Sequence, residues 1–244
     1  MSIRKLTLEE WFTRHQLLAI QKRNVHLPVT LTVDVSRLAA RHGPKPPWTS
    51  IVIRAVAEVA KQIPDINRVY FDTWFGPRIV EPPYVAVNVP VVLVHDGVPH
   101  LSALVVRDPG NRTLDEVTAE IRAGRERKLS DQPIGKMFIA NENHVLNRLK
   151  LRLIHHVVWH FPSIYLKHGG GGISVSSLLL HNKPDLRIWA PSYGPTCFTV
   201  CITGVSARGD GKTEMNLGIG YDHGVLAGER AAHAVVQLTE ILSG

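Results

Sequence analysis

Apolar residues along this chain recur with two different periods, and the alternation between them lays out the fold. Leu6, Leu8, Trp11, Phe12, Leu17, Leu18 and Ile20 give a broad apolar side among basic residues and predict a helix over 4–23. From Pro28 to Val35 the period drops to two. Val29, Leu31, Val33 and Val35 alternate with Thr30, Thr32 and Asp34, as in a half-buried strand. Beyond a Pro- and Lys-containing loop, Ile51, Val52, Ala55, Val56, Val59 and Ala60 form one helical face. Thr49 or Ser50 is the expected cap of that helix, and Pro64 its end. Strands are predicted over Val69 to Ile79, Tyr84 to Val94 and His100 to Val106, the last two joined by the turn signal His95-Asp96-Gly97. Asp108-Pro109-Gly110 marks another turn. Thr113 and Glu116 have capping-box spacing and open a helix running to about Lys128.

A fourth helix, with an unusual mixture of residues, is predicted from Val145 to Phe161. Leu146, Leu149, Leu153 and Val157 recur on one side, Leu151, Ile154 and Val158 widen the stripe, and Arg148, Lys150 and Arg152 lie among them. No Asp or Glu occurs between Glu142 and Asp185. Such a basic, apolar helix suits an anionic lipid surface or an acidic carrier protein, and equally a buried place against the domain or a neighbouring subunit. Strands follow at Ser174 to Leu179, Cys197 to Val205 and Met215 to Tyr221, and a last helix from Glu229 to Leu242. Strands interleaved with helices place the chain in the α/β class.

At 244 residues, with 44% apolar and 20% charged positions, the sequence is that of a globular protein able to bury a sizeable core. It reads as a single domain over 1–244. No signal peptide or transmembrane run is recognised, which predicts a cytoplasmic location. Cys197 and Cys201, four apart in a strand-like run, would share a face about 13 Å apart, beyond disulfide reach, so two reduced thiols are expected. The net charge of +7 fits anionic partners of several kinds, including CoA phosphates, an acidic protein or a membrane surface. No nucleic-acid-binding module is recognisable.

Candidate chemistry centres on Tyr221-Asp222-His223-Gly224-Val225-Leu226-Ala227-Gly228, between the last strand and the last helix. A histidine at such a junction can project into a cleft, and partial burial would keep its imidazole neutral and basic, suited to general-base work. His156 and His160 have the i, i+4 spacing of a helical metal pair, but a third ligand and an adjoining glutamate are not evident, so no metal is expected. The run Gly169 to Gly172 lacks the Lys-Ser/Thr ending of a phosphate loop and leads into a strand.

Asp222-His223-Gly224-Val225-Leu226-Ala227-Gly228 resembles the DHRxxDG signature of the acyltransferase (E2) catalytic domain of 2-oxoacid dehydrogenase complexes, a domain that shares the chloramphenicol acetyltransferase fold. The Asp, His and final Gly match, whereas Gly224 replaces the family's Arg and Ala227 its Asp or Asn. Further likeness lies in the strand Val85-Ala86-Val87 leading through Pro90, in the Gly-Gly pair before Ser174-Val175-Ser176-Ser177-Leu178, and in the segment Trp189 to Pro195 before the Cys197 strand. The resemblance spans roughly 25–128 and 170–243. Residues 129–168, where the family has a short link, form an insertion.

The resemblance implies a two-layer α/β sandwich with a mixed sheet flanked by helices and a helical insertion near 130–168. It implies an acyltransferase moving an acyl group between CoA and a thiol or a small-molecule acceptor. His223 would be the base and Ser176 the oxyanion donor, with Ser174 on the same strand face as the neighbouring candidate and Ser177 on the opposite one. It also implies a homotrimer whose active site takes the histidine from one chain and the serine from the next. With no lipoyl or subunit-binding module in the sequence, a lipoyl group would arrive on another polypeptide. Because Ala227 and Gly224 remove polar side chains from the motif, the resemblance leaves open a weakened enzyme, or an inactive trimeric homologue acting as an assembly, partner- or membrane-binding module.

Overall fold

The computed structural model describes residues 4–140, 145–168, 170–181, 187–190 and 194–244. Its helices are α1 (Leu8–Arg23), α2 (Ser36–His42), α3 (Trp48–Gln62), α4 (Leu114–Arg125), α5 (Pro133–Ala140), α6 (Val145–His160), α7 (Pro162–His168) and α8 (Gly228–Ser243). Its strands are β1 (His26–Asp34), β2 (Val69–Thr73), β3 (Gly76–Val80), β4 (Ala86–His95), β5 (Val98–Arg107), β6 (Ile173–Ser177), β7 (Phe198–Ala207) and β8 (Thr213–Asp222). Among the described residues, six strands make one sheet in the order β1-β8-β7-β6-β4-β5. β6 runs parallel to β4 and β7 and the other neighbours are antiparallel, so the sheet is mixed.

Strand alternation sorts this sheet into two unlike faces. Val87, Val89 and Val91 of β4, Ile173 and Val175 of β6, Val200 and Ile202 of β7, and Leu217 and Ile219 of β8 all join the main core. Covering them are α3, whose Val52, Ile53 and Val56 are fully buried, with α4 and α8 beside it. Pickets of apolar side chains from both layers exclude water and supply most of the folding drive. The opposite face carries small and polar residues in matching registers: Ser174 lies beside Thr199 and Thr199 beside Gly220, while Ser176 lies beside Cys201 and Cys201 beside Gly218.

Several local expectations change on folding. Capping at Thr113 is as expected, with Thr113 and Glu116 exchanging side-chain and backbone bonds. The helix expected to start at Thr49 or Ser50 instead begins at Trp48 behind Pro47, with no side-chain cap. Ser50 is buried and its hydroxyl accepts from Thr118 across α4. The single strand expected over Val69 to Ile79 is a hairpin, β2–β3, apart from the main sheet. Thr73 turns it, its hydroxyl donating to the Gly76 carbonyl at 2.7 Å, and Trp74 and Phe75 project into solvent. At His95-Asp96-Gly97 the hairpin forms as expected, Asp96 and Gly97 both having positive φ.

The two cysteines are free and buried but do not share a face. The backbone N–H groups of Cys197 and Phe198 both donate to the Gly172 carbonyl, at 2.7 and 3.0 Å. Two successive donors on one acceptor mark a bulge, which advances the alternation by one residue. Cys197 therefore enters the main core, while Cys201 faces Ser176 on the polar side.

Residues 129–168 form α5, α6 and α7. They do not pack by the leucine stripe that their periodicity offered. α6 buries Leu151, His155 and Trp159, whereas Leu146, Leu149 and Leu153 are exposed, Leu146 at 70%. Leu151 packs with Leu8 and Phe12 of α1 and with Met137 and Phe138 of α5 in a small second core. Val158 and Tyr165 pack on Val69 and Phe71 of the hairpin in a third. Trp11 draws Arg148 and Arg152 over its ring, at 5.6 and 5.4 Å, tilting the basic side of α6 towards α1. No helix among the described residues is long and apolar enough to cross a membrane.

Within the glycine run, Gly169 lies outside the described residues, and Gly170 has a φ of 99° that favours glycine. A Cβ at Gly172 would overlap the backbone of Asn67 and Arg68. Gly172→Ala should therefore destabilise the protein by about 3 kcal/mol through displacement of the bulge acceptor, read as a lower urea midpoint. A midpoint equal to that of the unsubstituted protein would remove this account of the run.

Candidate active site

His223 follows β8 directly, and the turn that carries it is tied down by the residue before it. Asp222 is buried, and its Oδ1 accepts from the backbone N–H of Gly224 at 3.0 Å and of Val25 at 3.1 Å. The Val225 and Leu226 N–H groups donate to the Asp222 carbonyl, and the His223 N–H donates to the Val25 carbonyl at 2.8 Å. The end of β8, the entry to β1 and the start of α8 thus share one hydrogen-bonded knot. From it the His223 side chain extends into solvent beside Tyr221, ring centroids 6.2 Å apart. In the single chain the imidazole is exposed, because the turn carries it past the end of the sheet.

Ala227 is the N-cap of α8 and supplies no side-chain hydrogen bond to it. Alanine is among the poorest residues for this position, where Asp, Asn, Ser or Thr would accept an otherwise unpartnered N–H.

Ser176 sits near the C-terminal end of β6, half-buried, with its hydroxyl hydrogen-bonded to the Cys201 thiol. Burial pushes that thiol above its ordinary range, so it stays protonated. Ile188 and Trp189 lie across the same face: the indole Nε1 donates to Thr199 Oγ1 at 3.3 Å, and a Cβ on Gly218 or Gly220 would collide with this segment. Pro191, Ser192 and Tyr193 of the expected proline turn lie outside the described residues. Ser174 and Ser176 share the polar face, as their spacing predicts, while Ser177 lies opposite and accepts from the Leu179 N–H at 3.4 Å.

One chain does not bring His223 and Ser176 together. Ser176 is in register with Cys201 and Cys201 with Gly218, five residues before His223 on β8. Two strand spacings across and five residues along place the two side chains roughly 15–20 Å apart.

Next to Ser174 the fold forms a half-open cavity of about 370 Å³. Its floor includes Asn88, Pro90 and Ser174 of the polar sheet face, and its walls are α1, α5, α6 and α7. Nothing in the sequence pattern announced it, since it forms where helices far apart in sequence close over the sheet. His155 lines it, is 8% exposed, and has an Nε2 without a hydrogen-bond partner. Burial, reinforced by the charges of His15 and Arg23, pushes its imidazole down to about 4. The His156 and His160 rings lie tilted to each other with centroids 3.9 Å apart and Trp74 donating to His156 Nε2, and among the described residues no group of three or more His, Cys, Asp or Glu side chains is placed to hold a metal ion.

Solved structures supply the comparison. The cubic core of the pyruvate dehydrogenase multienzyme complex superposes with a TM-score of 0.70 at 17% identity, covering 100% of this chain and 91% of that one. Dihydrolipoamide acetyltransferase from Azotobacter vinelandii gives 0.69 at 16% identity, covering 100% and 91%; its structure was solved to examine the role of a serine, a histidine and an asparagine in its catalytic mechanism. Chloramphenicol acetyltransferase gives 0.51 at 14% identity, covering 98% and 99%. The chain has the chloramphenicol acetyltransferase-like fold. No protein-family model matches the sequence, and no curated protein matches it. The mixed six-stranded sheet flanked by helices is the shape this fold shares, and α5 to α7 are built against it.

Two measurements test this geometry. Ala227→Asn should raise stability by about 1 kcal/mol by capping α8, seen as a higher urea midpoint; an unchanged or lower midpoint would show that the cap cannot form. His155, with its pKa depressed in the folded state, binds fewer protons there than in the unfolded chain between pH 6.5 and about 4. Its contribution is intact above pH 6.5 and is lost as pH falls towards 4. The melting temperature should drop between pH 7 and 5, and His155→Phe should flatten the drop; an equally steep slope in the variant would count against it.

Proposed function

We propose that this protein is a CoA-dependent acyltransferase, with His223 as general base and Ser176 as the donor to the oxyanion. In this reading the imidazole takes the proton from the incoming thiol, alcohol or amine, which attacks the thioester carbonyl. The carbonyl oxygen becomes an alkoxide held by the Ser176 hydroxyl. Collapse breaks the C–S bond, and the departing CoA thiolate recovers the proton from the imidazolium. A single oxyanion donor of this kind contributes about 3 kcal/mol.

The observation that carries the reading is the placement of His223 and Ser176 on an acyltransferase fold matched along the whole chain. Their separation within one chain favours a homotrimer in which the histidine of one copy meets the serine of the next. The coarse class, an acyltransferase, rests on the fold; acyl-CoA as substrate, the two residue roles and the trimer are the finer parts of the proposal. An acyl acceptor on a separate lipoyl domain or an acidic carrier protein is compatible with the exposed apolar and basic residues of α6 around 145–161, as is contact with an anionic membrane.

The competing reading is a trimer without turnover that serves as an assembly module, favoured by the missing cap side chain at Ala227. Release of CoA thiol from a panel of acyl-CoAs separates the two. Turnover should fall at least about a hundredfold in His223→Ala. Mixed assemblies of His223→Ala and Ser176→Ala chains should recover activity, because some interfaces then hold both intact residues. Full activity in His223→Ala removes the mechanism, and absence of turnover with every acyl-CoA favours the assembly module.

A further inference from the structure

Helices α5, α6 and α7 close with α1 over the polar sheet face around a half-open pocket, and its lining is selective. The α1, α5, α6 and α7 walls of the 370 Å³ cavity contribute Phe12, Ile134, Phe138, Val158, Trp159 and Tyr165. This volume is roughly two and a half times the cavity of about 150 Å³ that accepts benzene, which suits a molecule of two fused rings. The aromatic walls favour a flat aromatic body, through edge and face contacts.

Charge is absent from the lining in any usable form. Among the described residues no Lys or Arg lines the cavity, and the one carboxylate there, Glu9, is already bonded to His100 Nδ1 at 2.6 Å and to the Leu101 N–H at 3.2 Å. His155 is held neutral by burial. A charged ligand seated against this lining would lose part of its hydration without gaining a counter-charge, so the site favours uncharged molecules.

Part of the polar lining is already engaged: Ser102 donates to Gln132, and Asn88 Nδ2 and the Tyr165 hydroxyl both donate to the Gly171 carbonyl. Asn88 Oδ1 and His155 Nε2 are buried without a partner. Ser174 adds a hydroxyl to these. It is 7% exposed and lines the cavity, and among the described residues no hydrogen bond engages its hydroxyl. It offers one donor and two acceptor positions at the cavity floor. It also shares the sheet face with Ser176, one strand repeat or about 7 Å away.

We infer that this cavity binds an uncharged aromatic molecule of about two rings, held by α1 and α5 to α7, with a hydroxyl or amine hydrogen-bonded to Ser174. The site adds a substrate class to the proposed function: such a molecule is the acyl acceptor, its hydroxyl or amine directed along β6 towards Ser176. That use rests on the acyltransferase reading; binding itself does not. The acylation is balanced by the scheme above, the acceptor losing a proton and gaining the acyl group while CoA leaves as the thiol.

The test uses the full-length protein with 2-naphthol and 2-methylnaphthalene, which differ by a hydroxyl against a methyl group, and with dihydrolipoamide as a non-aromatic uncharged thiol. Binding is followed by tryptophan fluorescence and calorimetry, and acylation by CoA release from acetyl-CoA. 2-Naphthol should bind about fivefold more tightly than 2-methylnaphthalene, in keeping with one hydrogen bond, and more tightly than dihydrolipoamide. Ser174→Ala should bring the two naphthalenes to parity. Gln16→Trp, a bulky side chain introduced from a partly exposed lining position, should abolish binding of both. Absence of naphthol binding, a preference surviving in Ser174→Ala, or tighter binding of dihydrolipoamide would each overturn the inference. Naphthol binding without CoA release would leave the binding site standing and overturn its use as an acceptor site. CoA release to dihydrolipoamide alone would leave the acyltransferase standing and overturn the aromatic acceptor.

Discussion

A buried carboxylate has to be surrounded by donors, and meeting that requirement at Asp222 shapes the part of this protein where chemistry is expected. Asp222 gathers the N–H groups of Val25 and Gly224, one from the entry to an edge strand and one from its own turn. Leaving either donor unpaired in the interior would cost about 1–3 kcal/mol, so the three chain segments are held in one arrangement. His223 inherits its position from that arrangement. The aspartate needs no contact with the imidazole to act on it, since it fixes the backbone from which the side chain departs.

The departures at Gly224 and Ala227 can be weighed against this knot. Gly224 leaves its N–H to Asp222 intact, and a Cβ there would come within 3.3 Å of the same carboxylate oxygen. Ala227 leaves α8 without a cap side chain, but the Ala227 carbonyl still accepts from Ala231. The turn is therefore organised by the backbone and by one acid, and the side chains missing at the other two positions are not what close it.

Much of this architecture was legible in the sequence because strands and helices bury faces with different periods. The alternation in β1, the capping box of α4, the Asp96-Gly97 turn and the two-serine face of β6 all follow from local rules. What escaped was set by long-range contacts. Trp74 and Phe75 fall within the strand expected over Val69 to Ile79, although they occupy a turn. The cysteines changed sides because two N–H groups share the Gly172 carbonyl, a partner far away in sequence. On α6 the leucine stripe gave the wrong inner face: Leu151, His155 and Trp159, spaced by four, meet α1 and the hairpin instead. A cavity between a group of helices and a sheet has no periodic signature at all, so the contribution of Ser174 could be seen only with both walls in place.

The crowded glycine at the head of β6 has a consequence for chemistry as well as for packing. Alternation means that sliding this strand by a single position would send Ile173 and Val175 into the polar space and drive both serine hydroxyls into hydrocarbon. The backbone of Asn67 and Arg68, pressed against Gly172, blocks such a slide. A residue with no side chain thus acts as the gauge that decides which hydroxyls the protein can offer to a bound molecule.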